Sequence, residues 1–212
     1  MSTARRESEE TARARARYDR IAALYDLMES PMESGRFSGW RERLWQQVKG
    51  PNVLEVGVGT GKNFPYYPEG ARITAIDFSP KMLERARRKA EREGVQVDLR
   101  LMDVQHLEFP DDSFDSAVTS FVFCSVPDPI QGLRELRRVT KPEGRILLLE
   151  HVRPGGLAGT LADLLNPIVV RLSGANINRC TEENVRRAGL RIERVDPLWR
   201  DIVKLIVARP GK

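Results

Sequence analysis

An α/β fold, with a doubly wound and mostly parallel sheet closed by an antiparallel hairpin, follows from three features of this sequence. Short β-branched runs alternate with segments of helical length, as parallel β-α-β units require. A glycine run, VLEVGVGTGKN (53–63), follows the first apolar run. The last two runs are joined only by Pro197–Arg200, a link too short for a crossover helix, so they pair antiparallel.

The strands are read in order at NVLEVGV (52–58), ARITAID (71–77), VQVDLRL (95–101), FDSAVTS (114–120), GRILLLEHV (144–152), LRIERVD (190–196) and DIVKLIVA (201–208). Helices are expected over SPKMLERARRKAERE (79–93) and DPIQGLRELRRVT (128–140). Ser79 followed by Pro80 reads as an N-cap and first helical residue, and Thr181 before Glu182 and Glu183 as a second cap. Gly94 and Gly189 suit C-terminal caps.

Two segments lie outside this alternation. Ile21, Leu24, Tyr25 and Met28 form an apolar stripe at helical spacing, with Arg13, Arg17 and Arg20 on the other faces. Leu157, Leu161, Leu164, Leu165, Ile168, Val169 and Leu172 repeat the pattern, and Asn166-Pro167 should kink or break that helix. Residues 1–48 are read as an N-terminal helical arm or lid. Residues 49–212 are read as the ligand-binding domain, with a helical insertion at 155–179.

With 212 residues, 41% hydrophobic and 31% charged, the chain suits one domain with an appended arm. The net charge of +5 reads first as a solvated arginine surface and second as an attraction to anionic partners. Cys124 and Cys180 form no C-x-x-C pair and there are two histidines, so no metal is expected. No secretory h-region and no membrane-length apolar run is present, which points to a cytoplasmic protein meeting a membrane, if at all, from its surface.

The glycine spacing narrows the ligand. A dinucleotide fingerprint, G-x-G-x-x-G, is excluded because Gly61 is followed by Lys62, and a P-loop because Lys62 is followed by Asn63. A nucleoside without pyrophosphate fits better. Asp77, ending the second strand about twenty residues beyond the first glycine, suits two ribose hydroxyls. Asp103 beside Val104, after the third strand, offers a carboxylate for an adenine amine and an apolar neighbour for the ring.

The order VLEVGVGTG, AIDFS, LMDV, FDSAVTSF and LRRVTKPEGRILLLEH resembles the class I S-adenosylmethionine-dependent methyltransferases of type 11, from Val53 onward. The resemblance implies a seven-stranded Rossmann-like sheet, S-adenosylmethionine as cofactor and S-adenosylhomocysteine as product. It implies that Gly57, Gly59 and Gly61 lie beneath the methionine part, that Glu55 organises that loop, and that Asp77 holds the ribose. Phe78 and Met82 would flank the adenine, with Asp103 and Val104 on its edge. Ser120 and Phe121 would touch the amino-acid moiety through backbone.

YDRIAALYD, GTGKNFPYYP, FVFCSVPDP, LEHVRP and GANINRCTEENVRRAGL are similar to segments of bacterial phosphatidylethanolamine N-methyltransferases and animal alkyl thiol methyltransferases, and quinone C-methyltransferases share the Y-D opening. The resemblance implies a small or amphiphilic acceptor, with phospholipid N-methylation first and thiol S-methylation, quinone-type C-methylation and RNA methylation as alternatives. Methyl transfer is an in-line displacement in which the protein aligns the partners and an amine or thiol must lose a proton. Tyr25 and His151 are the catalytic candidates; Tyr18, Asn176 and Arg179 are the acceptor-binding ones. Each has a plainer reading: Tyr25 as core, His151 as a loop hydrogen-bonder, Arg179 as a solvated charge. Cys124 reads as a buried residue beneath the site. Nucleic acid is disfavoured because SFVF stands where amino-directed nucleic-acid enzymes carry an N-P-P-Y-like tetrapeptide. A monomer or weak dimer, with peripheral contact to anionic membrane, completes the expectation.

Overall fold

Strand β1 (Asn52–Val56) is buried from Val53 onward, Glu55 included, because it has a parallel partner on each side and helices over each face. The computed structural model describes residues 9, 11–16, 19, 37–173, 176–200 and 202–212. The other strands are β2 (Arg72–Asp77), β3 (Asp98–Leu101), β4 (Phe114–Ser120), β5 (Thr140–His151), β6 (Arg191–Trp199) and β7 (Val203–Arg209). They form one seven-stranded sheet in the order β3-β2-β1-β4-β5-β7-β6. Strand order reverses between β1 and β4, which is where an open α/β sheet holds its ligand. The sheet is parallel except at β7, which runs antiparallel to both neighbours.

Period-two alternation sends each strand's side chains to opposite faces. Ile146 and Leu148 of β5 join Leu54, Leu133 and Leu136 on one face, covered by α3 (Pro129–Val139) and α5 (Thr181–Arg187). Leu147 and Leu149 join Val53, Val118 and Leu205 on the other, covered by α1 (Ser38–Trp45) and α2 (Pro80–Glu93). Each of these fully buried leucines stabilises the fold by about 1.5–3 kcal/mol.

Ser79 caps α2 as expected, accepting from the Met82 N–H at 3.1 Å, and Gly94 closes it in the left-handed region at φ 67°. The second cap differs. Cys180 is the N-cap of α5 and makes no side-chain cap bond, while Thr181 is already helical and buried. Of the kink or break expected at Pro167, the break does not occur, since α4 (Gly156–Ser173) runs through it. Proline removes one N–H and with it the helical bond to the carbonyl four residues earlier, that of the exposed residue Asp163. Pro197 is tolerated in β6 because β6 is an edge strand.

Residues 11–16 are helical. The stripe of Ile21, Leu24, Tyr25 and Met28 lies outside the described residues, as does Tyr18. Among the described residues no helix is long and apolar enough to cross a membrane.

Two glycines after β1 show different constraints. At Gly61 (φ +83°) a Cβ would stand 2.4 Å from the Phe64 ring, whereas at Gly59 (φ +55°) it would meet nothing within 4 Å. Gly61→Ala should therefore lower stability by about 2–3 kcal/mol in urea denaturation, strain plus clash. Gly59→Ala should cost only the strain, about 1 kcal/mol, by the same measurement.

Candidate active site

The carboxyl ends of β1 to β4 enclose an open cleft holding about 720 Å³ of empty space. Of the residues expected around a nucleoside cofactor, Gly57, Gly59, Asp77, Phe78, Met82, Asp103, Val104, Ser120 and Phe121 line it. Glu55 and Gly61 stand behind the lining. Gly57 is needed for closeness, because a Cβ there would lie 2.4 Å from Val122 on the opposite wall.

Asp77 ties two backbone segments together. Its Oδ2 accepts from the Gly59 N–H and its Oδ1 from the Ser79 N–H, each at 2.9 Å, so one carboxylate holds both the glycine turn and the start of α2. Burial pushes its pKa up to about 6 against these hydrogen bonds. The Phe78 N–H bonds this carboxylate as well, so about one of its four acceptor sites is left for a ligand. Asp103 is oriented by Gln105, whose backbone N–H donates to Oδ1 at 2.9 Å and whose amide reaches Oδ2 at 2.9 Å.

Behind the glycine turn lies a buried polar network. Glu55 accepts from the Asn63 amide at 2.5 Å and from the Tyr67 hydroxyl. Arg41 of α1 donates to Asn63 Oδ1 and to Ser120 Oγ, each at 2.9 Å, and its guanidinium lies 5.7 Å from the centre of the Phe121 ring. Burial raises the Glu55 pKa, with Arg41 opposing, and holds the Tyr67 hydroxyl well above its usual value. The network joins α1, β1 and β4 beneath the cleft floor.

The wall after β4 is strained and braced. Phe121 sits at φ 58°, a left-handed conformation that costs a non-glycine residue about 1–3 kcal/mol. Glu150, at the end of β5, accepts on Oε1 from the Val122 and Phe123 N–H groups at 3.1 and 3.3 Å and from the Thr119 hydroxyl at 3.1 Å. Asn176 donates its backbone N–H and its amide to the Cys124 carbonyl at 2.8 and 3.0 Å, and Arg179 donates to the Val126 carbonyl at 2.7 Å. Asn176 and Arg179 thus meet the wall's backbone. Arg179 Nε is buried with no protein partner, and burial lowers this guanidinium's pKa.

His151 is half-buried at the end of β5, with Nδ1 buried and unpartnered in the protein; burial lowers its pKa, so the ring is neutral at pH 7. Cys124 is buried and its thiol is pushed up to about 12, far from a nucleophile's range. Of the described residues before α1, Thr11 lines the cleft and accepts from the Gln105 amide at 3.1 Å, and Asp19 accepts from the Ser79 hydroxyl at 2.5 Å at the start of α2. Among the described residues no group of three or more His, Cys, Asp or Glu is placed to hold a metal.

Sequence reasoning did not single out Arg41, Asn63, Tyr67, Gln105 or Glu150. Glu150 had a signal, a carboxylate ending an otherwise apolar strand run, and Asn63 and Tyr67 sit inside the quoted GTGKNFPYYP segment. Arg41 had none, because its partners are 22 and 79 residues away.

Residues 54–148 match the family described as a methyltransferase domain. Over 106 residues the chain is 43% identical to a phosphatidylethanolamine N-methyltransferase of Cereibacter sphaeroides, spanning 49% of this chain and 52% of that protein. It is 31% identical over 175 residues to a demethylmenaquinone methyltransferase of Lactobacillus johnsonii, spanning 76% of this chain and 71% of that protein. The match to the first relative thus spans about half of that relative's length. A solved SAM-dependent methyltransferase from Aquifex aeolicus shares the fold, with a TM-score of 0.59 at 22% identity over 79% of this chain and 88% of that one.

Burial raises the Glu150 carboxyl from 4.5 to about 7. A raised folded-state pKa gives stability that is full below the unfolded value, near 4.5, and lost as pH rises through about 7. Glu150→Gln keeps an oxygen for the Val122 and Phe123 N–H groups but cannot titrate. In denaturant titrations across pH 4.5 to 7, wild type should therefore lose about 3 kcal/mol more than the variant. Parallel pH profiles would show that this carboxyl does not titrate in that window.

Proposed function

Because the chain belongs to the S-adenosylmethionine-dependent methyltransferases, we propose that it methylates the amine of an amphiphilic acceptor, phosphatidylethanolamine being the first candidate. The observation that carries this reading is the 43% identity with the Cereibacter enzyme over 106 residues.

The cleft fits the cofactor on two grounds. The missing Cβ of Gly59 leaves open space along the cleft, and the buried Asp77 carboxylate faces it with an acceptor site to spare. In this reading Asp77 holds the ribose, Phe78 and Met82 flank the adenine, and Asp103 and Val104 meet its edge. The backbone of Gly57, Gly59, Ser120 and Phe121 takes the methionine part, while Glu55 and Gly61 keep the turn in shape from behind. When bound, S-adenosylmethionine supplies an electrophilic methyl group on a sulfonium.

The chain's own contribution is alignment, exclusion of water and removal of a proton. The arm, residues 1–48, closes the cleft; the contacts of Thr11 and Asp19 support this. His151, neutral and half-buried, is the proposed proton acceptor for the amine. Tyr18 and Tyr25 are proposed acceptor contacts carried by the arm. Asn176 and Arg179 act on the acceptor side by fixing the wall, with Arg179 Nε the remaining donor. Quinone C-methylation is the second reading, favoured by the longer match to the Lactobacillus enzyme.

Methyl-labelled S-adenosylmethionine incubated with phosphatidylethanolamine, a demethylated quinone and a short alkyl thiol should place label in the phospholipid. Label in the quinone or thiol fraction would overturn the amine reading and leave the methyltransferase standing. Asp77→Ala should weaken S-adenosylmethionine binding at least tenfold, about 1.4 kcal/mol, in calorimetry. Unchanged affinity would remove Asp77 from the ribose.

A further inference from the structure

The amphipathicity of α4 is reversed. An ordinary surface helix buries its large apolar side chains and exposes its polar ones. Over Gly156–Asn166 of α4 the residues turned toward the protein are small or polar, Gly159 and Ala162 being buried and Asn166 half-buried; only in the last turns do larger apolar residues, Val169 and Val170, become half-buried. At Gly159 a Cβ would stand 2.3 Å from the Pro154 carbonyl, so the helix lies too close to the preceding chain for a larger residue. The large apolar side chains point outward instead, with Leu157 90% and Leu164 74% exposed and Leu161, Leu165 and Ile168 exposed beside them.

Position gives this stripe its meaning. Among the described residues the remaining exposed large hydrophobics are Trp199 and Leu101, at the carboxyl ends of β6 and β3. All of them therefore stand at the same edge of the sheet as the cleft. The Trp199 turn is tied to the end of β5, where Val152 N–H donates to the Ile202 carbonyl at 2.8 Å. Helix α4 is tied to the cleft wall through Asn166, whose amide donates to Asn176 Oδ1 at 3.2 Å, and Asn176 in turn holds Cys124.

We infer that this edge, formed by the outward face of α4 and the Trp199 turn, is a docking surface for the interface of an anionic lipid bilayer. Leucines along a helix, an exposed tryptophan and flanking arginines are the side chains that partition into the headgroup boundary. Asp163, the only acid of α4, is neutralised by Arg153 at 2.7 Å, while Arg171 and Arg200 are exposed at this edge and the chain carries +5. A second protein seated here would sit over the cleft's mouth. A bilayer seated here delivers an amphiphile to it, so the inference rests on the amphiphilic-acceptor reading for its purpose but not for its geometry.

The test is flotation of the full chain with vesicles of phosphatidylcholine alone and of phosphatidylcholine containing phosphatidylglycerol, neither holding phosphatidylethanolamine. Wild type should bind the anionic vesicles and release at high salt, with a blue shift in fluorescence from Trp199, since Trp40 and Trp45 are buried. The double variant Leu161→Glu, Leu164→Glu should bind at least tenfold more weakly while keeping wild-type affinity for S-adenosylmethionine in calorimetry. Equal vesicle binding by both proteins, or none by wild type, would overturn the inference. So would a wild-type dimer in light scattering that the double variant converts to a monomer without vesicle binding in either, which would assign the stripe to contact between copies. Vesicle binding without methylation of phosphatidylethanolamine would sustain the docking face and remove the acceptor. Methylation of detergent-dispersed lipid without vesicle binding would do the reverse.

Discussion

A loop leaving the end of a parallel strand carries backbone N–H groups with no sheet partner, and burying them unsatisfied is costly. Here carboxylates near the carboxyl ends of β1, β2 and β5 meet that need. Asp77 takes the N–H groups of Gly59 and Ser79, and Glu150 takes those of Val122 and Phe123. Glu55 does the equivalent through side chains, holding Asn63 and Tyr67. These acids face inward from the sheet edge and help to shape the cleft, alongside the backbone bonds of the glycine turn and of Phe121 and the donors Asn176 and Arg179.

The arrangement has a price in solvation. All three carboxyls are buried and burial raises the pKa of each. Arg41 answers part of the charge from α1, two side chains away from Glu55. A cationic ligand placed above Asp77 adds a favourable charge where the protein alone supplies only hydrogen bonds.

The sheet was readable because period-two apolar runs and helical spacing are local properties, and the short Pro197–Arg200 link left one pairing for the last strands. The place of Gly57, Gly59 and Asp77 in the cleft was readable for a related reason, since it follows from strand ends and turns. Arg41 was not, since a buried cation paired across the fold leaves no pattern near it in the chain. The bonds of Asn176 and Arg179 to the Cys124 and Val126 carbonyls were not readable, because a sequence does not show that a loop's carbonyls need donors. Thr181 misled by one residue at a helix end, where boundaries are least determined.

The wall between β4 and α3 takes its backbone course from Glu150, Asn176 and Arg179, and none of these side chains forms the cleft surface itself. The side chains that do face the cleft there, Val122, Ser125 and Val126, are not what holds the wall in place through its backbone. Shape and chemistry are therefore carried by separate sets of residues. Such a division leaves lineages free to exchange the facing side chains while the frame stays put, and it is a physical route by which one scaffold diversifies among amine, thiol and ring-carbon acceptors.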